Sequence, residues 1–180
     1  MKYVTALFLA LLMPVAAIAE PAIGFYFDLE ASVNALTDPA PMEATDGYIF
    51  AKGFDCYITA AEFMVQYPAE LIWTGEEYTS SISMGQTSTG VSLSWWPPMD
   101  GWNPGYNLLA TVHFVLTGDC AAMGSDLPIA VLPHPDTGLI RGAMWPDNVL
   151  FEAVGLAATI CPSSIGVEEE SWGAIKSMLQ

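Results

Sequence analysis

Apolar and polar side chains alternate over several short stretches of the chain, and this alternation is its main structural signal. In the stretch 62–67, Phe63, Val65 and Tyr67 fall on one side of an extended chain, and the residues between them fall on the other. A period of two is typical of a β-strand with one buried face. Pro68 lacks a backbone N–H and therefore ends the strand. The pattern predicts a central strand, a tight corner after Tyr67, and a return of the chain into the core.

A second stretch shows the alternation most clearly, with these apolar residues on one face: Leu108, Ala110, Val112, Phe114 and Leu116. Further short apolar segments, separated by turn-forming residues, cover residues 23–28, 47–54, 91–95, 127–132, 139–145 and 149–160. About nine or ten short strands at this spacing predict an all-β, antiparallel sandwich. Near the C-terminus, Trp172, Ile175 and Leu179 recur at helical spacing, which predicts a short C-terminal helix.

The N-terminus has the features of a secretory signal peptide. Lys2 precedes an apolar run over residues 4–12, and Ala17 and Ala19 are the small residues that a signal peptidase recognises. The run is too short to cross a bilayer comfortably. We therefore expect cleavage after Ala19. The mature protein should be secreted, to the extracellular space, the periplasm or the cell surface, with no membrane insertion.

The rest of the chain has the length of one domain. We expect a β-sandwich over residues 20–162, followed by a linker and a helical tail over residues 163–180. Once residues 1–19 are removed, 3 basic residues stand against 20 acidic ones, and the net charge is −17. A chain this acidic repels nucleic acid and anionic membranes, so neither is expected as a partner. Hydrophobic residues make up 53% of the sequence, which is ample for a core.

The order of the strands resembles that of cohesin-like domains, which are jelly-roll β-sandwiches of about nine strands in secreted bacterial proteins. Residues 64–71, Met-Val-Gln-Tyr-Pro-Ala-Glu-Leu, are similar to the Phe-x-Leu-x-Tyr-Asp-Pro-x-x-Leu strand of that family, although the Asp before the proline is missing. Cys161-Pro162 and the segment 171–176, Ser-Trp-Gly-Ala-Ile-Lys, resemble small secreted bacterial proteins that combine such a sandwich with a Ser/Thr-Trp-Gly-x-Ile/Val-Lys tail. The resemblance implies the fold and no particular activity. In cohesins the fold binds a partner domain or glycan-associated scaffolds, through residues that are not matched here.

Three cysteines follow the expected cleavage site, and in an oxidising compartment two of them are expected to pair. Their spacing leaves the connectivity open. The strand order implied by the cohesin resemblance brings the start of the central strand beside the end of the 108–117 strand. It therefore implies a Cys56–Cys120 disulfide, with Cys120–Cys161 as the alternative. There is no Cys-x-x-Cys pair or Cys/His cluster, so a structural zinc site is not expected.

No arrangement of residues indicates catalysis. His113 and His134 are the two histidines of the chain, and the Gly-x-Ser-x-Gly motif of serine hydrolases is absent. The adjacent acids at 76–77 and 168–170 lie in polar segments, where carboxylates are usually solvated rather than paired for glycoside hydrolysis. The scattered loop aspartates form no Asp-x-Asp-x-Asp ladder for calcium. The sequence predicts a protein without enzymatic activity, metal site or cofactor.

Four aromatic residues lie within twelve positions, around two prolines and a glycine-rich turn: Trp95, Trp96, Trp102 and Tyr106. Rings on a stiff loop can stack on sugars or anchor a protein, which makes these four the candidate ligand-binding residues. Alternatively, some of them cap the end of the core. We expect a secreted, non-catalytic binding or surface module, with a polysaccharide as its leading candidate ligand. The alternative is a structural or adhesion protein of the cell envelope, which contacts envelope proteins through broad surfaces and edge strands.

Overall fold

The computed structural model describes residues 20–101 and 105–163, and within them nearly all regular structure is β-strand. In chain order the strands are β1 (Ala22–Tyr26), β2 (Ala35–Leu36), β3 (Ala44–Lys52), β4 (Tyr57–Gln66), β5 (Leu71–Tyr78), β6 (Ile82–Gln86), β7 (Gly90–Asp100), β8 (Tyr106–Leu116), β9 (Leu127–Leu132), β10 (Arg141–Trp145), β11 (Val149–Glu152), β12 (Val154–Leu156) and β13 (Ala158–Ile160). A single helical turn, α1 (Cys120–Met123), lies between β8 and β9 in this part of the chain. No helix of these residues has the length and apolar character that crossing a membrane requires.

The strands form two sheets that pack face to face. The five-stranded sheet has the order β12-β1-β3-β8-β5. The eight-stranded sheet has the order β11-β10-β4-β9-β13-β2, and β7 joins it by pairing with β4 and, on its other side, with β6. This arrangement is an all-β jelly-roll sandwich and confirms the predicted fold class. The sheets are mixed rather than purely antiparallel, because β1 pairs with β12, and β13 with β2, in parallel. The described strands outnumber the predicted ones because longer segments are divided; 149–160, for example, forms β11, β12 and β13.

The core lies between the two sheets and contains side chains from both. Its largest fully buried residues include Phe25 of β1, Phe63 of β4 and Phe114 of β8. In β4, Phe63 and Val65 face the core, while Glu62 faces outward. The central strand is therefore oriented as its alternation predicted.

Strand β8 departs from the predicted alternation near its start. Ile49 of β3 pairs with Ala110, and the next residue, Phe50, pairs with Leu108. The extra residue, Leu109, is buried together with Ala110, whereas Leu108 packs with Phe50 in a cluster outside the main core. A β-bulge of this kind changes which side chains of a strand face the core. Strict alternation of buried and exposed residues therefore does not predict it.

The connection between β1 and β2 covers part of the outer face of the five-stranded sheet. Ala31 is buried there against Phe50. The carboxylate of Asp28 accepts hydrogen bonds from the backbone N–H groups of Ser32 and Val33, at 2.9 and 2.7 Å. Burial alone would raise the pKa of Asp28, but these hydrogen bonds outweigh it and lower the pKa. Asp28 therefore holds the connection in place over a second, smaller apolar cluster.

The disulfide bond joins Cys120 to Cys161, with 5.3 Å between their Cα atoms, and Cys56 is a free thiol. The expected Cys56–Cys120 pairing is therefore wrong. It assumed that the start of β4 lies beside the end of β8, but these strands belong to different sheets. Instead, α1 leads from Cys120 into β9, and β9 pairs with β13, which ends one residue before Cys161.

Some sequence predictions lie outside the described residues. They concern the signal peptide at 1–19, the side chain of Trp102, and the helical tail after Ser163. The domain limits at residues 20 and 162 also stay predictions.

Candidate binding face

The four candidate aromatic residues do not form one surface. Trp95 is only 6% exposed and packs in the core, whereas Trp96 is 71% exposed on the opposite face of β7. Tyr106 begins β8 in the other sheet, with its ring centroid 5.6 Å from that of Phe50. Trp102 lies outside the described residues. The expected aromatic loop is also part of a strand, because β7 continues through Pro97 to Asp100.

A different set of aromatic residues comes together on the outer face of the eight-stranded sheet. The ring centroids of Trp96 and Trp145 lie 5.7 Å apart, with 65° between the ring planes. Tyr57 pairs with Trp145 across β4 and β10, and all three side chains are exposed. We call Tyr57, Trp96 and Trp145 the aromatic cluster. The sequence interpretation treated Trp145 as a packing residue. It missed the contact with Trp96 because that contact depends on the pairing of strands far apart in the chain.

Small side chains lie next to the aromatic cluster. Ala60 of β4 pairs with Ser94 of β7 on one side and with Ala143 of β10 on the other. Ala143 in turn pairs with Leu150 of β11, which is exposed. The result is a shallow depression of about 70 Å³, lined by Ala60, Ala143 and Leu150 among others. We call the outer surface of β7, β4, β10 and β11 the binding face.

A glycine allows β10 and β11 to lie close to β4 at this point. Gly142 lies between Arg141 and Ala143, and a Cβ atom at Gly142 would collide with the ring of Phe151 and with the carbonyl oxygen of Ala60. Close packing of a ring against backbone is one of the few situations that require glycine within a strand. Gly142 thus lets Phe151 point inward while its neighbours in β10 line the binding face.

The charges of the binding face are arranged around this apolar centre. Arg141 Nε donates to Glu62 Oε2 at 2.8 Å, and both side chains are half-buried. Arg141 also pairs in register with the exposed Glu152 of β11. Asp100 pairs in register with Tyr57, Asp147 follows Trp145 by two residues, and both carboxylates are exposed. Among the described residues of the face, the cation Arg141 is thus paired with a carboxylate. The exposed charged residues around the apolar centre, which we call the rim, are the acidic Asp100, Asp147 and Glu152.

The two histidines lie in different parts of the sandwich. His113 is half-exposed on the outer face of β8, with Nδ1 at 2.7 Å from Asp46 Oδ1 and Nε2 at 4.0 Å from Glu77 Oε1. His134 is buried, and its Nδ1 accepts a hydrogen bond from the backbone N–H of Asp136 at 3.3 Å. In residues 20–101 and 105–163, no three or more His, Cys, Asp and Glu side chains converge as metal ligands would.

A buried polar network anchors the turn between β6 and β7. Thr87 is fully buried, and its Oγ1 donates to Glu76 Oε2 at 2.6 Å. The hydroxyl of Tyr67 lies 2.7 Å from the same Oγ1, and Tyr78 donates to Glu76. Burial first, and then the nearby Glu76, raises the pKa of both tyrosines, so both remain protonated and neutral at ordinary pH. The network fixes the β6–β7 hairpin against β4 and β5.

No protein-family model matches the chain, and neither does any curated protein sequence. Solved structures do match it. A non-cellulosomal cohesin from the hyperthermophilic archaeon Archaeoglobus fulgidus has a TM-score of 0.50 at 13% identity, over 87% of this chain and 98% of the other. A complex of CaDoc0917 with CaCohA2, the latter from Clostridium acetobutylicum, has a TM-score of 0.51 at 9% identity, over 78% of this chain and 99% of that one. At these identities the likeness establishes the fold, which is that of a cohesin-like β-sandwich.

Proposed function

We propose that this chain is a secreted, non-catalytic module that binds a partner protein through the binding face. The observation that carries the proposal is the exposed aromatic cluster beside the shallow depression, on the outside of a sheet. Tryptophan, tyrosine and arginine supply most of the binding energy at protein interfaces. All three residue types lie together here, around small side chains that let a partner approach the backbone closely.

A protein suits this face better than a sugar. A sugar ring stacks on the flat face of an aromatic ring, but Trp96 and Trp145 meet edge to face and so present no common plane. The depression of about 70 Å³ is far smaller than the roughly 300–1,000 Å³ of a typical small-molecule pocket. It has room for one inserted side chain. One of the two similar structures given above is itself a two-component complex, which supports the same interpretation.

The charge of the face indicates the chemistry of the partner. The rim is acidic, and Arg141 is already paired with Glu62. We therefore infer a partner with an apolar centre and a basic rim, which a chain of net charge −16 attracts at long range. The Cys120–Cys161 disulfide supports a location outside the cytoplasm, where such bonds persist.

Capture of a partner from the secreted and envelope fractions of the source organism tests the proposal. The Trp96→Ala, Trp145→Ala double variant should bind the captured protein about thirtyfold more weakly, the effect of losing roughly 2 kcal/mol at a hot spot. Trp73→Ala is the matched control, since Trp73 is also exposed but lies on β5 of the other sheet.

Two results would contradict the proposal. One is an equal loss of binding in the double variant and in Trp73→Ala. The other is binding of an isolated polysaccharide, without any protein, that the double variant alone abolishes. Thermal unfolding of each variant shows whether the fold is intact, because exposed aromatic residues contribute little to the core.

A further inference from the structure

The longest uncharged part of the chain forms an exposed sheet edge. Residues 78–99 contain no Asp, Glu, Lys or Arg, although the whole chain has 20 acidic residues. This segment holds β6, the turn after it, and β7 as far as Met99. All five residues of β6 are exposed, and the apolar side chains of Ile82 and Met84 are 63% and 68% exposed.

Strand β6 lacks the features that usually prevent edge strands from pairing with other chains. Such edges are commonly short, charged or interrupted by a bulge or proline. Among the described strands, β5 has Glu76, Glu77 and a register shift, and β11 ends in Glu152. β2 and β12 have only two and three residues. By contrast, β6 has five residues without charge or proline. Among the strands that the structure describes it pairs with β7 alone, and that pairing has no register shift.

Strand β6 is held in the extended conformation that pairing with another strand requires. Thr87, at the β6–β7 turn, is fully buried and bonded to Glu76 and Tyr67, so the hairpin is tied to the body of the sandwich. A strand that is already ordered loses little conformational entropy when another strand pairs with it. Every second residue of such a strand directs its N–H and C=O groups away from its own sheet.

We propose that β6 is a self-association edge, through which two copies of this chain pair antiparallel about a twofold axis. The two eight-stranded sheets then form one continuous sheet. A second copy is the favoured occupant because a twofold axis makes one uncharged edge complementary to itself. Along β6 itself two strongly acidic chains can approach without opposing carboxylates, with Ile82 and Met84 of each copy beside those of the other. Asp136 lines the surface next to Met84 but belongs to the β9–β10 connection.

The β6 edge adjoins the binding face through β7, but the two contacts respond to salt in opposite ways. Screening weakens the attraction between an acidic face and a basic partner, whereas it strengthens a contact between two like-charged copies. The salt dependence of each contact therefore shows whether self-association or partner binding has failed, even when the other contact is intact.

Sedimentation velocity of the chain from Glu20 onward tests self-association over the micromolar to millimolar range. We expect a monomer–dimer equilibrium that sodium chloride strengthens. Met84→Glu should raise the dimer Kd about tenfold or more, because it places like charges at the shared edge. The matched control, Ile72→Glu, puts the same charge on the exposed edge strand β5 and should leave the Kd unchanged. A monomer at every concentration, or an equal effect of the two variants, overturns the proposal.

Crosslinking tests the antiparallel geometry without relying on affinity. In a Cys56→Ser background, a new cysteine at the middle of β6 faces its own copy across the twofold axis. Oxidation should give a covalent dimer for Ser83→Cys or Met84→Cys, and none for Ile72→Cys. Absence of the dimer at both β6 positions overturns the proposed pairing.

Discussion

Trp95 and Trp96 are neighbours in the chain and have opposite environments, because successive side chains of a strand point to opposite faces. Trp95 fills the core, with its indole Nε1 donating to Thr79 Oγ1 at 3.3 Å. Trp96 projects from the sheet and meets Trp145. At the scale of single residues, the division between packing in the core and exposure on the sheet surface therefore follows from one step along β7.

Asp28 gives a residue-scale prediction for the dependence of stability on pH. Replacing it with Ala should lower the free energy of unfolding at neutral pH by about 1 kcal/mol, the typical net value of a hydrogen bond lost from a folded chain. The pKa of Asp28 is lowered in the folded chain. Its contribution is therefore fully present above the ordinary Asp pKa of about 3.9 and is lost as the pH falls through the lower, folded value.

Urea unfolding of the wild type and of Asp28→Ala at several pH values measures this difference. The exposed Asp38, in the same region of the chain, provides the control variant Asp38→Ala. A gap between wild type and Asp28→Ala that widens toward acid pH would contradict the assigned role of the carboxylate.

At the scale of elements, the four-residue helix α1 depends on a cap and a crosslink. Asp119 caps it by accepting from the backbone N–H of Ala122 at 2.9 Å. Cys120, the first residue of α1, is bonded to Cys161 after β13. A helix this short has little stability of its own, so its position depends on these contacts. The disulfide thus joins the α1–β9 connection to the last described strand.

Replacing both Cys120 and Cys161 with Ser should lower the free energy of unfolding by up to about 4 kcal/mol, the chain-entropy value for a sequence separation of 41. Cys56→Ser should have a much smaller effect. Burial, and then the charge of Asp55, raises the pKa of the Cys56 thiol, so thiol reagents should modify it slowly in the folded chain.

Thiol titration in denaturant checks the connectivity directly. Unreduced wild type should show one reactive thiol per chain, and Cys56→Ser should show none. A Cys56→Ser variant with a new free thiol at Cys120 would show that Cys56 is the true partner.

At the scale of the whole molecule, the excess of negative charge destabilises the compact folded state. The chain has 4 basic and 20 acidic residues, and few of its carboxylates are paired in the described residues. Self-repulsion of this kind destabilises the folded state and is screened by salt. We expect the melting temperature to rise between low and physiological ionic strength.

Each 1 kcal/mol of relieved repulsion corresponds to roughly 2–4 °C in Tm for a domain of this size. Calorimetry in sodium and in potassium chloride measures the rise, and both salts should act alike because screening depends on ionic strength. A Tm that falls or stays constant with salt would show that attractive ion pairs, rather than repulsion, dominate.

The fold class was predictable because many weak local signals agree. Alternation in β4 and β8, with turn residues between strands, indicated a sandwich, and the Met64–Leu71 segment resembled the cohesin strand. Most of the candidate site was not predictable in this way. Of the three proposed aromatic residues that the structure describes, Trp96 joins the binding face, with Tyr57 and Trp145 from other strands, whereas Trp95 and Tyr106 do not. The turn at 146–148 was a usable signal, since it places Trp145 and Leu150 on adjacent strands.

Local patterns in the sequence were enough to establish that the chain forms short strands, which side chains of β4 face the core, and that its surface is acidic. These are local or additive properties, so they do not depend on which strands meet. Three features became visible in the folded chain and in no local pattern: the Cys120–Cys161 bond, the burial of Leu109 and the contact of Trp96 with Trp145. Each of these depends on strand pairing or on a bulge, and both are set by contacts between residues far apart in the chain.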